Sequence, residues 1–313
     1  MQPPVRIGTR ASLLARTQSG HVQAMVAAAL GAPPEAKDEV APLVFITTTG
    51  DRVQDRRLIE AGGKQLFTKE IEEALLDGRV DLAVHSMKDV PAESPAGLTI
   101  AAVPVREDAR DALVSRTHAA FDVLPQGARI GTASLRRQAQ LLARRPDLEI
   151  VMMRGNVDSR LKKLDAGECD ALVLAAAGLN RLGLSGVITE LLDPVAAPPA
   201  PGQGALAIQC RAADARAGWL NALRHAPTAL CVAAERGALE ALEGSCRTAV
   251  GAHARLEGGE LKLSVEALTA DGRTRWRRDA AAALASPEAA YALGAELGRS
   301  IRAEAGDALI VAM

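Results

Sequence analysis

The chain has 313 residues, of which 48% are hydrophobic, 24% are charged and only 2% are aromatic, and its formal net charge is −1. This hydrophobic fraction excludes a disordered chain, and the length predicts more than one domain. The scarcity of aromatic side chains argues against single-stranded nucleic acid as a ligand, and the near-zero net charge means that an anion could bind only where cations are locally concentrated.

The four cysteines, Cys169, Cys210, Cys231 and Cys246, lack the Cys-x-x-Cys spacing of zinc sites. We interpret them as reduced thiols, and the histidines show no metal-ligand spacing, so we predict no metal. The N-terminus lacks the apolar segment of a signal peptide, and no run approaches the roughly 18 apolar residues of a membrane span. We therefore expect a soluble, cytoplasmic protein that binds neither membrane nor nucleic acid.

The first part of the chain alternates predicted strands with predicted helices. Ser12 is expected to cap the first helix, another helix is expected at residues 67–77, and the strands are predicted at 5–9, 43–49, 80–84 and 98–103. Such alternation is typical of a mostly parallel, doubly wound sheet. Between the helices, Gly62-Gly63-Lys64 resembles part of a phosphate-binding loop, but Leu58 and Gln65 stand where that motif needs Gly and Ser or Thr, so we reject it.

The segment Val84-His85-Ser86-Met87-Lys88-Asp89-Val90-Pro91 follows one of these strands. Ligands of open α/β sheets bind at the carboxyl ends of the strands, which is where its polar residues are expected. From this segment alone, Lys88 and Asp89 could form a structural salt bridge or a proton-transfer pair with a perturbed pKa. His85 could be a base, although a strand-end histidine that packs inward is the simpler interpretation.

A second unit repeats this pattern, with strands predicted at 111–115, 129–134, 149–154 and 171–177. The Pro-rich segment 195–201 predicts a return to the first lobe, followed by a strand at 205–209. The rest is predicted as a small α+β domain, with helical runs at 219–223 and 230–242, strands at 261–268 and 273–277, a helix from Pro287 and a closing strand at 307–311. The expected domains are 1–103 with 199–216, then 104–198, then 217–313.

Arginines follow the ends of successive predicted strands in both lobes: Arg10, Arg136 with Arg137, Arg154 with Arg160, and Arg181. An arginine at a helix start opposes the helix dipole, but a bound anion reverses that penalty, since helix N-termini and guanidinium groups both bind carboxylate or phosphate. One such residue would be interpreted as a solvated side chain. Their repetition favours a cleft for a ligand with several negative charges, to which Lys64 and Lys88 can add.

Cys246 lies in Gly244-Ser245-Cys246-Arg247, at the predicted exit from a helix. The neighbouring arginine would favour the thiolate, whereas an inert small residue in a loop is an equally open interpretation on local grounds. The other cysteines lie in apolar or helical contexts and are interpreted as structural.

Taken together, these motifs resemble the porphobilinogen deaminase family, also called hydroxymethylbilane synthases, over essentially the whole chain. The resemblance is carried, in order, by Ile7-Gly8-Thr9-Arg10, Gly63-Lys64 with Leu66-Phe67, the segment His85 to Pro91, Gly131-Thr132-Ala133-Ser134-Leu135-Arg136-Arg137, Arg154-Gly155-Asn156-Val157, Gly202-Gln203-Gly204 and the loop around Cys246. It implies two doubly wound α/β lobes with periplasmic-binding-protein architecture, joined by two hinge strands, plus a small α+β C-terminal domain.

The resemblance also implies a monomeric transferase of haem and other tetrapyrrole biosynthesis. It would condense four porphobilinogen molecules head to tail onto a dipyrromethane primer, with loss of ammonia, and release linear hydroxymethylbilane by hydrolysis. It assigns acid/base catalysis to Asp89 and the thioether attachment of the dipyrromethane to Cys246. Further cofactor contacts fall to Lys88, Asp89, Thr132, Ser134, Arg136, Arg137 and Arg160, and substrate contacts to Arg10, Ser12, Lys64, Phe67, Ser86, Arg154, Arg181 and Gln203.

The chemistry of the residues agrees with this resemblance. Pyrrole acetate and propionate groups form a growing polycarboxylate that needs many cations, and a carboxylate at position 89 favours the cationic intermediate that forms as ammonia leaves. Two departures stand out: Glu60 occupies a position where many family members carry a second loop lysine, and Ser245 replaces a frequent glycine. The alternative is a non-enzymatic two-lobed anion-binding or solute-binding protein, which would not explain a third domain that presents a cysteine.

Overall fold

The computed structural model describes residues 3–52, 66–242 and 248–309. The chain divides into two compact units, Met1–Glu107 with Ala205–Ala229, and Asp108–Gly204 with Leu230–Met313. Within the described residues, no helix has both the length and the hydropathy needed to cross a membrane.

The order of elements alternates strands and helices through most of the chain. The strands are β1 (Ile7–Thr9), β2 (Leu43–Phe45), β3 (Leu82–Ser86), β4 (Leu98–Ala102), β5 (Asp111–Ser115), β6 (Arg129–Thr132), β7 (Glu149–Met152), β8 (Ala171–Ala175), β9 (Glu190–Leu191), β10 (Leu206–Arg211), β11 (Ala249–Glu257), β12 (Glu260–Leu268) and β13 (Arg275–Ala282). The α-helices are α1 (Leu13–Ala29), α2 (Lys37–Val40), α3 (Thr49–Arg52), α4 (Lys69–Leu76), α5 (Leu135–Arg144), α6 (Val157–Asp165), α7 (Ala176–Arg181), α8 (Ala226–Ala241) and α9 (Pro287–Ala305).

The first unit contains a five-stranded sheet in the order β2-β1-β3-β10-β4. Strand β1 pairs in parallel with β2 and β3, whereas β10 is antiparallel to both of its neighbours. Alternate residues of β3 serve opposite faces, since Leu82 and Val84 join the core beneath α1, and Ala83 joins the core beneath α4. Apolar layers on both faces are what a doubly wound sheet requires.

The second unit contains a sheet of the same design, in the order β7-β6-β8-β5-β9. Strand β6 pairs in parallel with β7 and β8, and β5 takes the antiparallel place that β10 has in the first sheet. Strands β1 and β6, which hold the same place in their sheets, both contain Ile-Gly-Thr, and a Cβ on the glycine of β6, Gly131, would lie 2.6 Å from Leu172 Cδ2. A larger residue at this position would therefore have to displace the side chain of Leu172 in β8.

The second unit also contains a separate antiparallel sheet, β11-β12-β13, covered by α8 and α9. The hairpin between β11 and β12 turns through Gly258 and Gly259, whose φ values of 60° and 86° suit a tight two-residue connection. The two helices pack so closely that a Cβ on Gly294 of α9 would lie 1.8 Å from the carbonyl oxygen of Ala234 in α8.

The predicted fold class, two mostly parallel α/β sheets followed by a small α+β domain, is confirmed. Three details of the prediction were wrong. The strand predicted to end at Thr49 ends at Phe45, and Thr49 begins α3. Strands β9 and β11 were not predicted. Residues 307–309 of the expected closing strand belong to a short 3-10 helix, Gly306–Leu309, while residues 310 and 311 lie outside the described residues.

Candidate functional site

Strand β3 ends in the polar segment singled out in the sequence. Ser86 is its last residue, and Met87–Asp89 form one turn of 3-10 helix that places Lys88 and Asp89 in half-buried positions. Buried Met87 anchors this turn, since its amide donates to the carbonyl of Ala205 beside β10. The hydroxyl of Ser86 accepts a hydrogen bond from Gln18 of α1 at 3.0 Å. The turn therefore holds Asp89 at the carboxyl end of a parallel strand.

A chain of buried polar groups leads to His85, four residues before Asp89. Gln209 donates through Nε2 to a carboxylate oxygen of Glu72 at 3.1 Å, so its Oε1 faces His85 Nε2 at 3.0 Å. This arrangement assigns the proton to Nε2 of a neutral imidazole. Burial lowers the pKa of His85 to about 4, against the opposing effects of the hydrogen bond to Gln209 and the negative charge of Asp89. The inward-packing interpretation of His85 is thereby confirmed.

Arg10 follows β1 and lies between a carboxylate and an aromatic ring. Its Nε donates to Asp51 Oδ1 at 3.0 Å, and its guanidinium carbon lies 4.3 Å from the ring centroid of Phe67. Asp51 is held in turn by Thr48, whose hydroxyl donates to it at 2.8 Å. The structure thus brings together two of the predicted substrate residues, Arg10 and Phe67. Ser12 caps α1, where its hydroxyl accepts from the amide of Ala15.

In the second unit, the loop between β6 and α5 repeats this arrangement with different cations. Ser134 caps α5 by accepting from the amide of Arg137 at 3.4 Å, and its own amide donates to the hydroxyl of buried Thr132 at 3.2 Å. Arg136 and Arg137 fall in the first turn of the helix, where no acidic residue offsets their charge. Their counter-charge comes from elsewhere in the chain.

That counter-charge is Asp111, the first residue of β5. One carboxylate oxygen accepts from Arg136 Nη1 at 2.8 Å and the other from Arg137 Nη2 at 2.8 Å. Gln203 joins the cluster by donating to Asp111 at 2.8 Å and to the carbonyl of Ala109 at 2.7 Å. Gln203 is 0% exposed, so its predicted contact with substrate stays a prediction, and what the structure places beside it is Asp111.

The remaining predicted cations of this unit lie near strand ends. Arg154 follows β7, and its neighbour Gly155 has a φ of 118°, a conformation that favours glycine. Arg160 turns back on this loop, because its Nε donates to the carbonyl of Gly155 at 2.8 Å. Arg181, the last residue of α7, donates to the carbonyl of Gly204 at 2.7 Å.

Two buried donors mark where an anionic group fits. The Nε of Arg136 and the Nη1 of Arg154 are buried and have no hydrogen-bond partner among the described residues. A buried N–H without an acceptor is costly, and a guanidinium donor is best satisfied by a carboxylate. Arg136 lies in the first turn of α5 and Arg154 in the loop between β7 and α6, so the residues present fit a ligand that carries more than one carboxylate. Lys64, Glu60, Ser245 and Cys246 lie outside the described residues.

Asp51, Asp111 and Gln209 were not singled out from the sequence. Asp111 begins a predicted strand and is separated by 25 residues from Arg136, and Asp51 by 41 residues from Arg10. The available signal was charge balance: arginines in a helix start without local acids imply carboxylates supplied by other segments.

Two family models match the chain. "Porphobilinogen deaminase, dipyromethane cofactor binding domain" covers residues 5–218, and "Porphobilinogen deaminase, C-terminal domain" covers 229–303. Among similar curated proteins, a porphobilinogen deaminase of Caulobacter sp. is 63% identical over 98% of each chain, and one of Phenylobacterium zucineum is 62% identical over 99% of each. Among solved structures, a periplasmic substrate-binding protein of Coxiella burnetii matches with a TM-score of 0.44 and 19% identity over 74% of this chain and 96% of its own. A YaeC-family lipoprotein of Enterococcus faecalis matches with a TM-score of 0.43 and 14% identity over 71% of this chain and 90% of its own.

Proposed function

The chain belongs to the porphobilinogen deaminase family, and from that premise we propose which of its residues carry the reaction of a hydroxymethylbilane synthase. The enzyme is a transferase of tetrapyrrole biosynthesis that joins porphobilinogen units head to tail with loss of ammonia. Its cofactor is a dipyrromethane. The observation that carries this function is the match of both family models in their expected order; the alternative of a non-enzymatic solute-binding protein is not favoured.

Asp89 is the proposed acid/base residue. Its carboxylate sits on a turn that is pinned by Met87 and followed by Val90, whose amide closes the turn onto the Met87 carbonyl. A negative charge fixed at a strand end stabilises positive charge that develops on a pyrrole nitrogen, without reorganisation at the moment of reaction. The same carboxylate can move the protons that leave the pyrrole ring and accompany departing ammonia. His85, neutral and buried, is unsuited to share this work.

The proposed cofactor residues are five side chains from the end of β6 and from the loops and helices that follow β6 and β7, together with Lys88 and Asp89. When bound, the dipyrromethane supplies the primer pyrrole to which substrate units are added. Arg136 and Arg154, with their buried unsatisfied N–H groups, are the strongest supports for carboxylate binding. The cofactor set is Lys88, Asp89, Thr132, Ser134, Arg136, Arg137 and Arg160, with covalent attachment at Cys246.

The substrate set is proposed to neutralise the acetate and propionate groups of porphobilinogen. Arg10 is prepared for this by Asp51 and Phe67, which fix its plane on two sides. The set is Arg10, Ser12, Lys64, Phe67, Ser86, Arg154, Arg181 and Gln203. We further propose a cytoplasmic monomer with domains at 1–103 with 199–216, 104–198 and 217–313.

The attachment at Cys246 is tested by intact mass spectrometry of the purified protein. We expect a mass excess of two linked pyrrole units that disappears in Cys246→Ser. The matched control is Cys231→Ser, which changes a buried cysteine of α8 and should keep the excess. An unmodified mass in active protein would rule out the covalent assignment.

The role of Asp89 is tested by turnover. Asp89→Ala should fold but lose turnover, expressed per molecule that carries the cofactor, by at least about a hundredfold, the usual range for a proton-transfer group. Asp77→Asn, an exposed carboxylate at the end of α4, is the control and should remain fully active. Turnover of Asp89→Ala within a few-fold of the unmodified enzyme would remove Asp89 from the mechanism.

A further inference from the structure

Asp111 forms one buried charged unit with Arg136 and Arg137. The side chains are 3%, 5% and 8% exposed, respectively, and every Asp111 oxygen lies within hydrogen-bond distance of a guanidinium. Burial alone would raise the pKa of Asp111, but the charges and hydrogen bonds of the two arginines outweigh it and hold this pKa well below its usual range. The unit therefore contains one anion between two cations and keeps a net positive charge.

Gln203 also binds Asp111, at the carboxylate oxygen that accepts from Arg137. Its amide nitrogen bridges Asp111 Oδ1 and the carbonyl of Ala109, at 2.8 and 2.7 Å. Ala109 lies in the segment that enters β5, and Gln203 in the turn that precedes β10. The side-chain amide of Gln203 thus links the segment before β10 to the segment before β5. These two hydrogen bonds leave the Asp111 carboxylate little freedom to rotate.

Within the described ranges of the chain, the hydrogen bonds of the Arg136 side chain go through one nitrogen, Nη1. Nη1 donates to Asp111 at 2.8 Å, to Gln140 Oε1 at 2.7 Å and to the carbonyl of Pro198 at 3.2 Å. Its Nε, by contrast, is buried and has no acceptor in the part of the chain that the structure describes. The guanidinium of Arg136 is therefore held in place through Nη1, while its Nε still needs a hydrogen-bond acceptor.

We propose that Asp111 and Gln203 are positioning residues for cofactor binding, which fix Arg136 so that its Nε receives a carboxylate of the dipyrromethane. The inference rests on the proposed function, in which Arg136 holds that cofactor. In this role both residues act through Arg136. A guanidinium that is already held in place loses little side-chain conformational entropy when its ligand binds, and this smaller cost favours binding.

The test is cofactor occupancy in Asp111→Asn and Gln203→Met. Occupancy is the fraction of protein that carries the two-pyrrole mass excess, measured as purified and after the apoprotein is incubated with porphobilinogen. We expect at least about a tenfold loss in Asp111→Asn, which removes the charged partner of Arg136, and about a threefold loss in Gln203→Met, which keeps that partner and removes only the hydrogen bonds that orient it. The control is Asp170→Asn, which breaks the Asp170–Arg129 pair of the same sheet, 3.0 Å long, and should load fully.

Occupancy is compared only among variants that are folded by circular dichroism at the assay temperature, and kcat per loaded molecule is measured beside it. For Asp111→Asn, a positioning role predicts reduced occupancy with unchanged kcat per loaded molecule, whereas for Gln203→Met occupancy alone is the readout. Full occupancy of folded Asp111→Asn overturns the inference. If Asp111→Asn does not fold, Gln203→Met decides, since it leaves the ion pairs intact, and its full occupancy would overturn the inference equally.

The variant Arg136→Met distinguishes a failure of the positioning role of Asp111 and Gln203 from a failure of the proposed cofactor role of Arg136. Full loading of Arg136→Met would mean that Arg136 does not hold the cofactor, so the proposed function of that residue fails. Loss of loading in Arg136→Met, with full loading of both Asp111→Asn and Gln203→Met, would leave the cofactor role of Arg136 standing and overturn the positioning role alone.

Discussion

His85 should make the first unit lose stability in mild acid. The imidazole is 6% exposed and its pKa is lowered from 6.5 to about 4, chiefly by burial. In the unfolded chain the imidazole of His85 takes up a proton near pH 6.5, whereas in the folded chain it does so only near pH 4. Between these values the unfolded state holds more protons, so the stability contributed by neutral His85 is complete above pH 6.5 and is lost as the pH falls.

The size of the effect follows from the same two values. The full shift corresponds to about 3 kcal/mol, and about 2 kcal/mol of it should be lost between pH 7 and pH 5. Carboxylates with lowered pKa values, such as Asp81 and Asp51, also lose stabilisation in acid. They are present in a His85→Gln variant as well, so the difference between the two proteins isolates the histidine.

Urea unfolding at 25 °C measures this difference. Trp219 packs against the core of the first unit, whereas Trp276 packs against the C-terminal core of the second. In a Trp276→Phe background the fluorescence of Trp219 therefore reports on the unit that contains His85. The free energy of unfolding should fall by about 2 kcal/mol more in the parent than in His85→Gln from pH 7 to pH 5. Equal losses in the two proteins would refute the reasoning.

Further predictions concern two positions of α9, Gly294 and its cap Ser286, and a control position in α1, Gly20. Gly294→Ala should destabilise the protein by about 1–3 kcal/mol, because its Cβ would lie 1.8 Å from a backbone oxygen of Ala234. Gly20→Ala, in α1 with no described heavy atom within 4 Å of the added Cβ, is the control and should be neutral or stabilising by up to about 1 kcal/mol. Ser286→Ala should cost about 1 kcal/mol, because the hydroxyl caps α9 by accepting from Ala289 at 3.2 Å. Urea titrations at pH 7 check all three, and an unchanged midpoint for Gly294→Ala would contradict the packing argument.

Local signals were enough to predict most of the fold. The cap of α1 at Ser12 and the strand 111–115 were predicted at the right residues, because caps and short apolar runs depend on near neighbours. Strand β11 was missed because its inward residues are mostly Ala and Gly, which look unlike a strand. The tight Gly258-Gly259 turn was the signal that could have found it.

The partners of the arginines could not be predicted in the same way. Arg10 comes within hydrogen-bond distance of Asp51, and Arg136 of Asp111, only after segments that are distant in the sequence have packed together. Register and packing decide which carboxylate comes within 3 Å, and neither is encoded near the arginine itself. The sequence therefore predicts a set of cations suited to an anionic ligand, but it could not predict that Arg10 and Arg136 are each held by an acid of their own chain.

The two α/β sheets present cations from different places on equivalent scaffolds. Strands β1 and β6 both contain Ile-Gly-Thr, and each is followed by a helix that a serine caps, Ser12 or Ser134. In the first sheet the arginine stands before the cap, at position 10, and is matched by Asp51. In the second sheet the arginines stand after the cap and are matched by Asp111.

This difference has a physical consequence for how strongly each cation is fixed. The Arg10–Asp51 pair is about a quarter exposed, so solvent screens it and water competes for its hydrogen bonds. The Asp111 pairs are nearly dry, so removal of that carboxylate leaves two buried positive charges without their partner. A cation that must hold one group permanently suits the rigid, dry arrangement, whereas a cation that must exchange successive ligands suits the wetter one. The burial of the two pairs thus supports the proposal that Arg136 binds the cofactor and Arg10 the substrate.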